Sequence, residues 1–204
     1  MITKMEITYT NFNEKPLTAQ QVASNDRYIK IFKENNSLRK EEYYENNILI
    51  NTLNYIEFGS PHIDLLLINN ESIAIIEIEN IDSNYAKYHR FKYHNGIIKS
   101  KGLSVYKSNQ LCMMTQDLDL QTNLPLYYTT CKYYEDQING YEFEFNYYNT
   151  GQLASVIVSN DAKRFYEQYK SSELELIPNF EWWNQYSSYY LNAEPAVPNE
   201  IIIA

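Results

Sequence analysis

The chain has 204 residues, 44% of them hydrophobic, with 21 tyrosines and only 5 glycines, and its 17 Lys and Arg against 26 Asp and Glu leave a formal charge of −9. That length can bury a real core and predicts a single domain over residues 1–204. With no run of Lys or Arg to track a phosphate backbone, nucleic acid and anionic membrane are not expected partners; a basic protein or a divalent cation suits an acidic surface better.

The opening stretch, MITKMEITYTNFNEK, holds no apolar core of signal-peptide length, and nothing approaches the roughly 18 apolar residues of a membrane span, so a cytoplasmic protein is expected. Residues Ile2 to Phe12 read as a strand, and Thr18 to Ser24 as one short helix. From Tyr28 onward, alternating aromatic and β-branched residues are broken by Asn-rich dipeptides, the pattern of antiparallel hairpins. Turns are expected at Asn35-Asn36, Asn46-Asn47, Asn69-Asn70, Asn95-Gly96, Ser108-Asn109 and Thr150-Gly151, because Asn and Gly tolerate the positive φ of tight hairpins. Asn95-Gly96, between RFKYH and IIKSK, is the strongest of these signals.

Residues 117–136 are less regular, with Pro125 among polar residues, and read as an irregular insertion. Cys112 and Cys131 lack the close pairing of a zinc or redox motif and read as reduced, partly buried thiols. Near the end, Phe165, Tyr166 and Tyr169 have helical spacing and predict a helix over Asp161 to Lys170. The aromatic run FEWWNQYSSYYL predicts a second helix or a wrapping segment, which makes residues 160–204 a helical, aromatic appendage. The tail, AEPAVPNEIIIA, either docks as an edge strand or dangles. The expected fold class is mainly β (α+β), an antiparallel meander of hairpins with one or two short C-terminal helices.

The recurring unit is aromatic-aromatic-x-Asn-(Gly)-x-Leu followed by another strand. It occurs in YIKIFKENNSLRKEEYYENNILINTLNY, FKYHNGIIKSKGLSVYKSNQL and YEFEFNYYNTGQLASVIV. These stretches resemble the shorter variant of the MORN-type repeat, found in bacterial proteins often described as antitoxin- or immunity-like. Most units here lack the Gly that the pattern favours, and their intervals are irregular. The resemblance implies a non-enzymatic scaffold whose sheet face binds another protein, a task suited to large amphipathic tyrosines.

One segment departs from the aromatic pattern. GSPHIDLLLINNESIAIIEIEN predicts a central hairpin with strands Ile63 to Ile68 and Ile73 to Ile78. A turn centred on Asn70-Glu71 would set Asp64 opposite Glu77 and His62 opposite Glu79, all four on one face. Opposed carboxylates ask for a cation, so His62, Asp64, Glu77 and Glu79 are the candidate ligands of a divalent metal. The layout also resembles the core hairpin of restriction-endonuclease-like nucleases, with Pro61, Asp64 and Glu77 matching. Glu79 stands where that family carries a lysine, so the resemblance implies an inactive descendant as readily as a hydrolase.

Elsewhere, His89 and His94 are five apart in one strand and face opposite ways. No nucleophile elbow, phosphate loop or Cys–His pair appears, so no catalytic residue is assigned. Acidic pairs at Asp117/Asp119, Glu142/Glu144 and Glu173/Glu175 would each project from one face of a strand and could mimic a phosphate backbone toward a basic partner. The leading expectation is an immunity- or antitoxin-type protein that occludes a basic partner, a candidate toxin. The alternatives are a metal-dependent hydrolase or its descendant centred on Asp64 and Glu77, and a self-associating structural module.

Overall fold

The computed structural model describes residues 5–68, 72–108, 111–199 and 201–202. It is mostly β, as the residue pattern predicts. The first strands are β1 (Met5–Thr10), β2 (Pro16–Leu17), β3 (Arg27–Glu34), β4 (Ser37–Glu45), β5 (Ile48–Glu57) and β6 (Ser72–Asn80). They are followed by β7 (Tyr85–His94), β8 (Ile97–Lys107), β9 (Cys112–Leu118), β10 (Pro125–Asp136), β11 (Tyr141–Tyr147), β12 (Leu153–Asn160) and β13 (Phe165–Lys170). Short helices are α1 (Ala19–Val22), α2 (Ile63–Ile68) and α3 (Trp183–Tyr190). The hydrogen-bonded order is β13-β12-β11-β10-β9-β8-β7-β6-β5-β4-β3-β1-β2, so strands adjacent in sequence are adjacent in the sheet except that β1 lies between β3 and β2. Among the described residues no helix is long and apolar enough to cross a membrane.

Where length predicts one domain, contacts divide the chain into two compact units. The first comprises Met1–Ile78 with Arg90–Ser100, the second Glu79–His89 with Lys101–Ala204.

In the first unit, the turns at Asn35-Asn36, Asn46-Asn47 and Asn95-Gly96 have positive φ at both central residues, between 50° and 72°. That is the type I′ geometry, whose twist matches the flanking strands. Cross-strand pairs then hold the hairpins together. Tyr28 stacks on its partner Tyr44 with ring centroids 4.8 Å apart. Lys40 lies 4.2 Å from the centre of the Phe32 ring and 2.7 Å from the Glu42 carboxylate. Glu41 accepts from the hydroxyls of Tyr43 and Tyr55, at 3.0 and 2.9 Å. Each such pair contributes roughly 0.2–1 kcal/mol, so many are needed where few side chains are fully buried. The short helix expected near Thr18 is α1, closed by a capping box between Thr18 and Gln21.

One central expectation fails in this unit. Ile63 to Ile68 is not a strand but α2, and β5 and β6 are parallel, with Leu53 beside Ala74 and Ile56 beside Glu77. A parallel pair needs a crossover rather than a tight turn, and a helix is its usual form. IDLLLI misleads because a short apolar run without alternation fits a helix as well as a central strand. The turn expected at Asn69-Asn70 lies outside the described residues, as does Asn109 of the Ser108-Asn109 turn.

In the second unit, alternation is regular. Tyr141, Phe143, Phe145 and Tyr147 of β11 are buried, while Glu142 and Glu144 point the other way. The buried face is covered by the chain's own C-terminal segment. Trp182 stacks on Tyr134 with centroids 3.6 Å apart, Trp183 on Phe145 at 5.8 Å and Phe180 on Phe143 at 5.7 Å. Such ring pairs contribute about 0.5–1.5 kcal/mol each beyond the area they bury. Tyr190, fully buried on α3, donates to the Tyr133 carbonyl at 3.0 Å.

The same alternation carries Lys132 inward, where it is fully buried. Its Nζ donates to the carbonyls of Tyr189, Asn192 and Pro195, at 2.6, 2.9 and 2.8 Å, and sits 3.7 Å from the centre of the Tyr189 ring. Burial pulls the Lys132 pKa from its ordinary 10.5 down to about 7. Against that pull, only the three-donor ammonium can satisfy three carbonyls at once, and the ring face favours the cation.

Four further expectations are corrected here. Residues 117–136 are not an irregular insertion, since they hold the end of β9 and all of β10, with a register shift between Leu126 and Cys131. The helix predicted over Asp161 to Lys170 is a 3-10 turn, Asp161–Lys163, followed by β13. Arg164, at φ 51°, reverses the chain, and Asn160 caps the turn through the Lys163 N–H at 3.0 Å. Phe165 and Tyr169 share a face at a spacing of four in a strand as well as in a helix, hence the ambiguity. Residues 160–204, expected as an appendage, supply Ile177, Tyr186, Tyr189, Tyr190, Ala193 and Ile202 to the core. Ile202 neither dangles nor pairs as an edge strand: its N–H donates to the Tyr85 hydroxyl at 3.0 Å, and its carbonyl accepts from Lys107 at 2.6 Å.

Lys132→Met keeps the apolar stem but leaves three buried carbonyls without a donor. It is expected to cost about 3 kcal/mol, read as a lower Tm with faster amide exchange over residues 189–196; an unchanged Tm would contradict the caging role. Burial also raises the phenols of Tyr44, Tyr133 and Tyr134 from 10.0 to about 12. The native state therefore keeps protons that the unfolded chain releases. This stabilisation is complete below pH 10 and is lost as pH rises toward 12, so denaturation midpoints measured from pH 9 to 12 should fall across that window.

Candidate functional site

The candidate residues of the expected hairpin are only partly brought together. His62, in the loop before α2, and Glu77, on β6, do meet, with Nε2 2.6 Å from Oε1. Asp64 does not face Glu77; it is exposed on the first turn of α2, and Ile56 takes the place opposite Glu77. Glu79 does not face His62 either. It engages His89 at 2.8 Å and lies 3.9 Å from Lys87. Among the described residues no three His, Cys, Asp or Glu side chains gather as a metal ion would need. The loss of the hairpin thus removes the geometry on which the metal expectation rested.

What forms instead is a hydrogen-bonded chain. A carboxylate can only accept, so His62 donates from Nε2 to Glu77, and its Nδ1 lies 2.6 Å from the Tyr93 hydroxyl. The second oxygen of Glu77 accepts from the Gly59 N–H at 3.2 Å. Phe91 meets the imidazole edge-on at 4.8 Å. Burial, and then the Glu77 charge, raise the Tyr93 phenol above its ordinary 10.0, so at neutral pH it is no phenolate nucleophile. The arrangement ties the loop from Gly59 to His62 onto β6 and β7. Alternation in RFKYH places Phe91 and Tyr93 on one face; their meeting with His62 required the crossover.

A second arrangement lies in the second unit, on the face of the sheet opposite the aromatic core. Registers place Glu135, Glu142, Ser159 and Tyr166 side by side across β10 to β13. One step along the strands, Tyr133, Glu144, Ile157 and Gln168 form the next row. With Leu111, Cys112 and Thr115, these residues other than Gln168 line a groove of about 490 Å³. Glu144 accepts from the Asn146 amide at 3.1 Å and from the Cys131 thiol at 4.0 Å. The Tyr133 hydroxyl is 3.4 Å from Thr115 Oγ1, and Tyr166 is 69% exposed.

Of the three acidic pairs read from the sequence, Glu142/Glu144 is the one that projects from a single strand face. Asp119 instead caps a turn through the Gln121 and Thr122 N–H groups, which lower its pKa, and Glu173 accepts from the Lys170 N–H at 2.9 Å. Glu135 was not singled out from the sequence, because only the β10–β11 register sets it beside Glu142.

Removing His62 leaves the Glu77 carboxylate buried without its donor. His62→Ala is expected to cost about 1–3 kcal/mol, and Tyr93→Phe about 1 kcal/mol, by chemical denaturation; equal stability of all three proteins would show that the chain of hydrogen bonds contributes nothing. Compared with protein-family models, curated proteins and solved structures, the chain matches none of them.

Proposed function

We propose that the chain is a non-enzymatic protein-binding module of the immunity or antitoxin type, which occludes a partner protein through a tyrosine-rich sheet face. The observation that carries this reading is the asymmetry of the second unit's sheet. One face is sealed by the chain's own aromatic segment, while the other presents Tyr133, Tyr166 and Ile157 among carboxylates around a shallow groove. Rigid aromatic side chains on a regular sheet give contact area at low entropic cost, and hydroxyls and carboxylates at the margin set orientation. Glu77, the expected centre of a hydrolase, is tied to His62 and to the Gly59 N–H, and Asp64 does not stand opposite it.

Immunity proteins are commonly encoded beside the toxins they bind, so the test is co-expression with the product of the neighbouring gene. Co-purification as a stoichiometric complex, with relief of that product's toxicity, is the expected result. Failure to associate at micromolar concentrations would overturn a tight inhibitory role.

A further inference from the structure

We infer that the face formed by β10 to β13 is the surface on which the partner docks, and that the partner inserts a Lys or Arg side chain between Tyr133 and Tyr166, over Glu135 and Glu142. This rests on the protein-binding reading above and names its surface and the chemistry of its occupant. Glu135 and Glu142 are directly opposed across β10 and β11. Such neighbours hold their Cβ atoms about 5 Å apart, and like charges at that spacing destabilise a sheet. Glu144 lies one step along the same strand, about 7 Å away. Among the described residues none of these three carboxylates forms an ion pair, although four pairs between Lys or Arg and a carboxylate are found elsewhere.

Three unneutralised carboxylates beside two tyrosines and Ile157 match one kind of occupant. A guanidinium or ammonium would relieve the repulsion, take charge-assisted hydrogen bonds and lie against the phenol faces, while its aliphatic stem covers Ile157. A bare divalent ion matches less well, because the carboxylates do not converge as a metal site requires. The chain's own C-terminal segment is committed to the opposite face, where α3 and Trp182 pack on Tyr134 and Phe145.

The test uses the full chain and a fluorescein-labelled twelve-residue peptide alternating Lys or Arg with Leu, read by anisotropy at low and moderate salt, with spermine as a second probe. Two variants change the charge equally: Glu142→Lys in the groove and Glu57→Lys, exposed on β5. The expected result is at least a tenfold loss of peptide affinity in Glu142→Lys and less than a twofold change in Glu57→Lys, with a Tm for Glu142→Lys no lower than wild type because a like-charge contact is removed.

Tyr166→Ala should weaken the peptide several-fold at unchanged Tm. Equal losses in both charge variants would overturn the site in favour of diffuse attraction. Binding of spermine without binding of the peptide would overturn it in favour of a small polycation, and no binding by wild type would sink the cationic occupant. A neighbouring-gene product that binds Glu142→Lys as tightly as wild type would sink this face while leaving the protein-binding reading intact.

Discussion

In the second unit the sheet depends on a buried ammonium. Lys132 is carried to the interior by the alternation of β10, and there it gathers the carbonyls of Tyr189, Asn192 and Pro195. An uncompensated charge at that depth would be prohibitive, so the C-terminal chain must pass where its carbonyls can reach Nζ. Once it does, α3 and the two tryptophans lie on Tyr134, Phe143 and Phe145, and one face of the sheet is dry. Aromatic packing supplies the area, whereas the lysine sets the path.

That commitment shapes what remains for recognition. A sheet whose inner face is closed by its own chain has its outer face to offer, and here that face sets carboxylates beside aromatic rings and Ile157. Two sets of carboxylates differ in this respect. Glu77, Glu79 and Glu41 have their partners within the fold, as His62, His89 and a pair of tyrosine hydroxyls respectively. Glu135 and Glu142 oppose one another and, among the described residues, form no ion pair. Charges satisfied internally stabilise their own unit; charges left facing each other cost stability, and a cationic partner would relieve that cost.

The His62, Glu77 and Tyr93 chain is a reminder that residues of catalytic type can serve architecture. The sequence brings His62 and Glu77 into one hypothesis, and the structure does place them 2.6 Å apart, though through a parallel crossover instead of a hairpin. The residue pattern pairs Asp64 with Glu77 and His62 with Glu79, and neither of those pairs forms. Asp64 and Glu79, which depended on that geometry, fall away. Tyr93 and Gly59, which complete the arrangement, carried no local signal linking them to His62.

Local chemistry determined much of the rest. The positive-φ turns at Asn35-Asn36, Asn46-Asn47 and Asn95-Gly96 are legible because few residues tolerate that backbone, and the in–out alternation of β11 because a pleated strand enforces it. From these the mainly β class and most hairpins follow, as does the shared face of Glu142 and Glu144. Tertiary structure alone decided that Ile63–Ile68 is a helix, that Phe165–Lys170 is a strand, and that Glu135 meets Glu142. The physical reason is the same in each case. A short apolar or aromatic run satisfies both periods, and register between strands is a property of two segments at once, so neither is set until distant residues pack.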